Sequence, residues 1–175
     1  GHDRAGLSVE EITKFTKVLG WPVIAEDPLS FPDAIAHASI FLTSQEIRST
    51  LIPQSVLVIG RTTLSRSINA FIKSSPIQYV VDPRTATVDT DRQADRIFTS
   101  LPDLQGVIQS DDWISTWNKV SERTKKLVVS LDGWNEAVIA RTIAAAIPNE
   151  TALFVSSSRP IRDLEGFAIP RTGVD

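Results

Sequence analysis

A run of apolar residues that ends in a glycine constrains the fold of this chain most. Val56 to Ile59 are consecutive apolar residues, and Gly60 follows them directly. A strand with apolar side chains on both faces must be covered on both faces, as in a parallel sheet flanked by helices. Gly60 permits a sharp turn after the strand. The pattern therefore predicts a strand–turn–helix unit of an α/β domain.

The helix after this turn is predicted from the spacing of Leu64, Ile68 and Phe71, which places their side chains on one face. Thr62 or Thr63 is predicted to cap it. Ligands bind near such turns in open α/β sheets, because helix starts offer free N–H groups to anions. The turn contains neither a phosphate-binding loop nor a G-x-G-x-x-G fingerprint. A simple capped turn is therefore the favoured interpretation.

The other elements follow from the same kind of pattern. Ser8 and Glu11 form a capping box that opens a helix ending at Gly20. Strands alternate with helices, which predicts a doubly wound parallel sheet flanked by helices. The further predicted elements are strands at 21–25, 77–81, 94–99 and 152–155, short helices at 34–42 and 44–51, a turn at Asp82-Pro83, a surface loop at 84–93, a long helix from 111, and a helix at 134–147.

The long helix from Asp111 or Asp112 has an alternative at its end, where Leu127 to Val129 fit a short strand. The apolar spacing favours the helix. Its two tryptophans are interpreted as packing residues rather than as a ligand platform. The residues that define its predicted stripe are Trp113, Trp117, Val120, Thr124 and Leu127.

Composition limits the function classes. The 175 residues carry a net charge of −3, which argues against a nucleic-acid partner. No apolar run approaches membrane-spanning length, and no signal peptide pattern is present. With no cysteine there is no disulfide and no thiolate chemistry, which fits a cytoplasmic protein. His37 and His2 are the two histidines, so no metal site is expected. Gly1-His2 and the lack of methionine indicate a piece of a longer protein.

The most specific segment follows the predicted strand at 152–155. Three serines from Ser156 to Ser158 precede Arg159 and Arg162. Such a group suits a ligand that bears carboxylates, because arginine makes bidentate, charge-assisted hydrogen bonds to them. The alternative is a serine-rich helix cap with Arg162 in a surface salt bridge.

Read from Phe154 to Glu165, this segment resembles the small-small-Ser-x-Pro-Ile-Arg-Asp motif of the 2-succinyl-5-enolpyruvyl-6-hydroxy-3-cyclohexene-1-carboxylate synthase family. Leu19 to Ser30 is similar to the family's Gly-Trp-Pro…Pro-Leu-Ser segment. Val58 to Arg66 resembles its Gly-Arg turn with a following Lys or Arg, and Val80 to Pro83 matches as well. The matches run in order along nearly the whole chain.

The resemblance implies a fragment of a thiamine-diphosphate-dependent transferase of menaquinone synthesis, a carboligase that decarboxylates 2-oxoglutarate and adds the succinyl unit to isochorismate. It implies that Ser158 and Arg162 contact substrate carboxylates and that Arg66 supplies another positive charge. The residue after Arg66 is often basic in relatives but is Ser67 here. No catalytic residue is expected in the fragment. Thiamine diphosphate and Mg²⁺ are expected in the full-length enzyme, whereas the fragment is expected to bind neither and to be inactive.

The resemblance also implies a division of the chain. Residues 1–6 are interpreted as a leader or tag remnant, 7–130 as a Rossmann-like middle domain, and 131–175 as the truncated start of the carboxy-terminal thiamine-diphosphate-binding domain. Helix 134–147 and strand 152–155 are expected to fold back onto the middle domain or to pair with another copy, with Gly133 as the hinge.

The expected partners are small-molecule substrates, with no nucleic acid and no membrane, in a cytoplasmic homo-oligomer. Two alternatives stay open: a nucleotide-binding domain, and a purely structural Rossmann-like domain of another thiamine-diphosphate enzyme.

Overall fold

A three-stranded parallel sheet lies at the centre of the computed structural model, which describes residues 3–84, 94–105 and 111–174. The strands are β1 (Ser55–Ile59), β2 (Ile77–Val81) and β3 (Arg96–Phe98), in the order β1-β2-β3. Both neighbouring pairs are parallel. The predicted α/β class with a parallel sheet flanked by helices is therefore confirmed. Residues 85–93 of the predicted loop at 84–93, and residues 1–2 of the predicted remnant at 1–6, lie outside the described residues.

Helices flank the sheet, and their ends follow local signals. The predicted capping box is present at the first helix: the Ser8 hydroxyl accepts from the Glu11 N–H, and the Glu11 carboxylate accepts from the Ser8 N–H. Gly20 ends that helix with a left-handed φ of 65°. The helices are α1 (Val9–Leu19), α2 (Ala38–Phe41), α3 (Gln45–Leu51), α4 (Arg66–Ser74), α5 (Asp111–Ser130), α6 (Glu136–Ala146) and α7 (Arg159–Phe167).

Two predicted strands are wrong. Residues 21–25 line a cavity of about 170 Å³ together with β1 and form no ladder with it. Residues 152–155 also form no ladder, and the neighbouring Thr151 makes only an isolated bridge to Val174. Leu153 and Val155 pack on a buried cluster while Phe154 is 96% exposed. In residues 152–155, two apolar side chains thus pack on a cluster although the backbone pairs with no strand. Hydrophobic periodicity alone does not distinguish such a segment from a strand.

The predicted cap of α4 is also wrong. Ser65, rather than Thr62 or Thr63, is the N-cap, and its hydroxyl accepts from the Ile68 N–H at 3.4 Å. Leu64 precedes the helix and is 41% exposed, so the buried face consists of Ile68 and Phe71. The predicted helix at 34–42 is shorter as well, because α2 begins only after His37, whose φ of 62° is left-handed.

The main core gathers around Trp117. Its ring meets Phe41 at 5.8 Å and Phe71 at 5.5 Å in edge-to-face geometry, which confirms the predicted packing role of the tryptophans. The helix α5 is continuous over 127–129, as predicted, but Leu127 is 70% exposed. The buried residues of its stripe are Trp117, Ser121, Thr124 and Val128, with spacings of four, three and four.

The carboxy-terminal helices pack against the earlier chain, as expected, whereas the expected backbone pairing of residues 152–155 is absent. A second buried cluster joins Leu29 to Ala144 of α6 and Leu164 of α7. The Arg171 N–H donates to the Pro28 carbonyl at 2.9 Å, and Ser30 Oγ donates to the Val174 carbonyl at 3.2 Å. No helix in the described ranges has the length and apolar character needed to cross a bilayer.

Candidate functional site

The three residues expected to bind substrate lie at or near helix starts. Arg66 is the first residue of α4 and is exposed, Ser158 precedes α7 and is exposed, and Arg162 lies in the first turns of α7 and is partly buried. Within the described part of the chain, neither the Arg66 nor the Arg162 side chain forms a hydrogen bond or salt bridge. Both guanidinium groups therefore keep their fork of N–H donors for other acceptors.

The surface ion pairs on α7 belong to Arg159 instead. Its guanidinium lies 3.5 Å from Asp163 and 3.7 Å from Glu136. The alternative interpretation, a surface salt bridge of Arg162, is therefore not met within the described residues. Arg159 is thus a neighbouring arginine on the same helix whose charge is already paired.

Ser158 has an unusual backbone for a residue with a side chain, with φ 78° and ψ −126°. Its hydroxyl does not cap α7, so the alternative of a serine-rich helix cap is not met at this residue. Backbone conformations of this kind cost on the order of 1–3 kcal/mol and persist where the surrounding structure enforces them. The free N–H groups at the start of α7 and the Ser158 hydroxyl all lie where this backbone turns.

A buried polar link joins α7 to the turn before α4. Thr63 Oγ1 lies 3.1 Å from Glu26 Oε1 and 3.1 Å from Glu165 Oε1. Glu26 Oε1 also accepts from the Leu64 N–H at 2.7 Å, and Thr63 Oγ1 accepts from the Ser65 N–H at 3.1 Å. Glu26 is 3% and Glu165 5% exposed. The structure thus brings together two carboxyl groups that are far apart in the sequence.

Burial, together with the neighbouring charge of Glu26, raises the pKa of Glu165 to about 8. Glu165 is therefore largely protonated at neutral pH. Burial also raises the pKa of Asp27, against the effect of Arg4, whose guanidinium lies 3.4 Å away. Sequence reasoning assigned no role to these groups. The signal available for Glu165 was a carboxyl between Leu164 and Gly166 in a helix with a buried face.

His37 also contacts this helix. Its Nδ1 lies 2.7 Å from the carbonyl oxygen of Gly166, the residue after Glu165. Burial lowers the pKa of His37, so its ring is neutral at neutral pH and donates the Nδ1 proton to that carbonyl. Its role in the fold is therefore structural.

A second cluster of charged side chains lies at the carboxyl ends of β1 and β2. The buried Asp82 accepts from Arg84 at 2.6 and 2.9 Å, and Arg84 also donates to Asp3 at 2.7 Å. The hydrogen bonds from Arg84 hold the pKa of Asp82 below its usual value. The Asp3 carbonyl accepts from the Arg61 N–H at 3.3 Å and lies where a side chain on Gly60 would stand. The charges at this edge are therefore compensated by one another.

Metal ligands do not gather in the described ranges: no group of three or more His, Cys, Asp or Glu side chains is arranged there to hold an ion. The residues expected to bind substrate, Arg66, Ser158 and Arg162, offer guanidinium and hydroxyl donors. That chemistry suits carboxylates rather than a hard divalent cation.

Several curated proteins that are similar to this chain share the same name. The chain is 26% identical to the 2-succinyl-5-enolpyruvyl-6-hydroxy-3-cyclohexene-1-carboxylate synthase of Bacillus cytotoxicus over 91% of the chain and 31% of that protein. It is 27% identical to the synthase of Thermosynechococcus vestitus, over 88% of the chain and 30% of the relative. For the synthase of Thermobifida fusca the identity is 29%, over 89% of the chain and 29% of the relative. The chain thus spans about three tenths of the length of the curated relatives it matches.

These similarities confirm the resemblance that the sequence motifs indicated. A family model for the middle domain of thiamine pyrophosphate enzymes matches residues 7–155, which include the three described strands and α1 to α6. The α/β architecture described above agrees with it. The chain belongs to the middle-domain family of thiamine pyrophosphate enzymes.

Proposed function

We propose that this chain is part of a thiamine-diphosphate-dependent carboligase that decarboxylates 2-oxoglutarate and adds the succinyl unit to isochorismate. The shared name of the similar synthases supports the reaction class. The observation that carries the proposal is the pair Arg162 and Arg66, which have no acidic partner within the described residues while the neighbouring Arg159 has two.

Each of the three side chains has a separate role in binding substrate. Arg162 receives a substrate carboxylate through a bidentate pair of N–H donors, and Ser158 donates its hydroxyl to the same group. Arg66 adds a second positive charge at the start of α4. Both substrates carry two carboxylates, so fixed arginines lower the charge repulsion between them and orient them for reaction.

Thiamine diphosphate supplies the stabilised carbanion chemistry in the full-length enzyme. The residues of this chain hold and orient substrate carboxylates beside it, and none of them is given a catalytic role. We expect Mg²⁺ and the cofactor to be held by other domains, so that the isolated chain shows no carboligation even when both are added.

Three further properties belong to this proposal. The division into a middle domain to residue 130 and the start of a carboxy-terminal domain from 131 stays a prediction, as do the homo-oligomeric state and the cytoplasmic location. A nucleotide-binding role is less well supported, because the Asp3 backbone covers the Gly60 turn where a phosphate would approach.

The test is kinetic and uses the full-length enzyme that contains this chain. Arg162→Ala is expected to lose on the order of 2–4 kcal/mol of transition-state stabilisation in kcat/KM. Arg66→Ala is expected to act mainly by raising KM. Arg159→Ala is the matched control, because it removes an arginine of the same helix whose charge is already paired.

We expect Arg159→Ala to stay close to wild type. Wild-type kinetics for both Arg162→Ala and Arg66→Ala would contradict the proposed roles. Turnover by the isolated 175-residue chain with added cofactor and Mg²⁺ would contradict the proposed dependence on other domains.

A further inference from the structure

The buried side chain of Glu165 connects the helix that carries Arg162 to the turn that precedes Arg66. Glu165 lies three residues after Arg162 and therefore on the same side of α7, about one turn away. Its partner Thr63 lies three residues before Arg66. We propose that Glu165, as a neutral acid, positions Arg162 relative to Arg66 by donating its proton to Thr63. This inference rests on the proposed function.

The number of protons in the link decides the direction of each hydrogen bond. A threonine hydroxyl donates once and accepts twice. Thr63 Oγ1 already accepts from the Ser65 N–H, and it lies 3.1 Å from one oxygen of each carboxyl group. If both carboxyl groups were ionised, two acceptors would compete for one proton. If Glu165 carries a proton, it donates to Thr63, which donates to Glu26.

The two carboxyl groups differ in their backbone contacts. Glu26 Oε1 accepts from the Leu64 N–H at 2.7 Å. Glu165 receives no backbone N–H within the described residues, and its Oε2 is buried there without a hydrogen-bond partner. Burial without such compensation favours the neutral form, in agreement with its raised pKa.

The charged groups around the link come from each neighbouring segment. Glu26 and Asp27 lie in the segment after α1, and Arg4 pairs with Asp27 at 3.4 Å. His37 contacts the next residue of α7, Gly166, and is neutral at neutral pH because its pKa is lowered. Asp27 is therefore the neighbour whose titration has to be separated from that of Glu165, since burial raises its pKa also.

The separation of the two helices can be measured directly, because the chain has no cysteine. Arg159→Cys on α7 and Ala70→Cys on α4, both exposed, provide two spin-label sites in the 175-residue chain. Pulsed electron paramagnetic resonance then gives the distance distribution between them. We expect one narrow distribution at pH 6.5, and a broader one at pH 9, where Glu165 is ionised and no longer donates to Thr63.

Two variants separate the proton from the shape of the side chain. Glu165→Gln keeps an N–H donor for Thr63 and does not titrate, so its distribution should stay narrow at both pH values. Thr63→Val removes the hydroxyl and should broaden the distribution at both. Asp27→Asn is the control and should respond to pH as the parent chain does. A distribution that does not change with pH, or a Glu165→Gln variant that broadens like the parent, would overturn the inference.

Kinetics of the full-length enzyme distinguish this inference from the proposed function. A displaced Arg162 should raise KM for the anionic substrates, so Thr63→Val is expected to raise it by roughly 10–100-fold while Glu165→Gln stays near wild type at pH 7. If Arg162→Ala is impaired and Thr63→Val is not, the positioning role is wrong and the proposed function stands. If Arg162→Ala and Arg66→Ala are both unimpaired, the proposed function is wrong.

Discussion

Two buried carboxyl groups are the residues whose charge depends most on the fold. Glu26 and Glu165 are both almost fully buried, and they share one threonine hydroxyl. Two ionised carboxylates in such a place repel each other, so the protein keeps one of them protonated. Because the folded state then binds a proton that the unfolded state releases, the free energy of unfolding depends on pH.

We expect the free energy of unfolding to fall by on the order of 2 kcal/mol between pH 6.5 and 8.5. The folded pKa of Glu165 is about 8, above its ordinary value of 4.5, so in this window the folded state binds more protons than the unfolded state. Stability therefore decreases as pH rises towards 8. Below pH 6.5 the lowered pKa of His37 acts in the opposite direction, so the window begins there.

Urea denaturation at several pH values tests this expectation. Glu165→Gln should remove most of the slope, whereas Glu122→Gln, an exposed position on α5, should leave it unchanged. Equal slopes for the parent chain and Glu165→Gln would show that another group titrates.

The elements of this fold begin and end where local hydrogen bonds permit. At α4 the chain offers Thr62, Thr63 and Ser65 as caps within four residues. Thr63 turns its hydroxyl towards the two carboxyl groups, which leaves Ser65 to accept from the Ile68 N–H. The cap therefore lies two residues after Thr63 and three after Thr62.

Ser65→Ala is expected to destabilise the chain by about 1 kcal/mol, because the Ile68 N–H then loses its acceptor in a buried place. Thr62→Ala is the matched control at the exposed neighbouring position and should change little. Thermal unfolding followed by circular dichroism measures both. An equal loss for the two variants would contradict the assignment of Ser65 as the cap.

On the scale of the whole molecule, two buried clusters hold the chain together. The first surrounds Trp117, and the second joins Leu29 to α6 and α7. The contact of His37 with Gly166 and the link of Thr63 with Glu165 connect α7 to the part of the chain that holds the first cluster. Unfolding of α7 is therefore expected to be coupled to unfolding of the part of the chain that contains the sheet and α5.

Leu29→Ala should cost about 3 kcal/mol, because it leaves a cavity between the early loop and the carboxy-terminal helices. Leu127→Ala, at an exposed leucine of α5, is the control and should stay within about 0.5 kcal/mol of the parent. Hydrogen exchange should show faster exchange in both α7 and α5 for Leu29→Ala. Faster exchange confined to α7 would mean that the carboxy-terminal part unfolds independently.

Local patterns were sufficient for the framework. The strands at 55–59 and 77–81, the capping box at Ser8 and the long helix α5 follow from interactions between residues a few positions apart, so periodicity and cap chemistry predict them. The family followed from motifs spread in order along the chain. These features require no knowledge of which distant segments meet.

Contacts between distant segments settled the rest. Whether residues 21–25 and 152–155 form strands depends on a free backbone partner, and neither segment has a ladder. Glu165 and Thr63 are 102 residues apart, so no local pattern indicates that they share a proton. Burial then fixes the charge of Glu165, because the free energy of ionising a carboxyl group depends on the surroundings that folding creates.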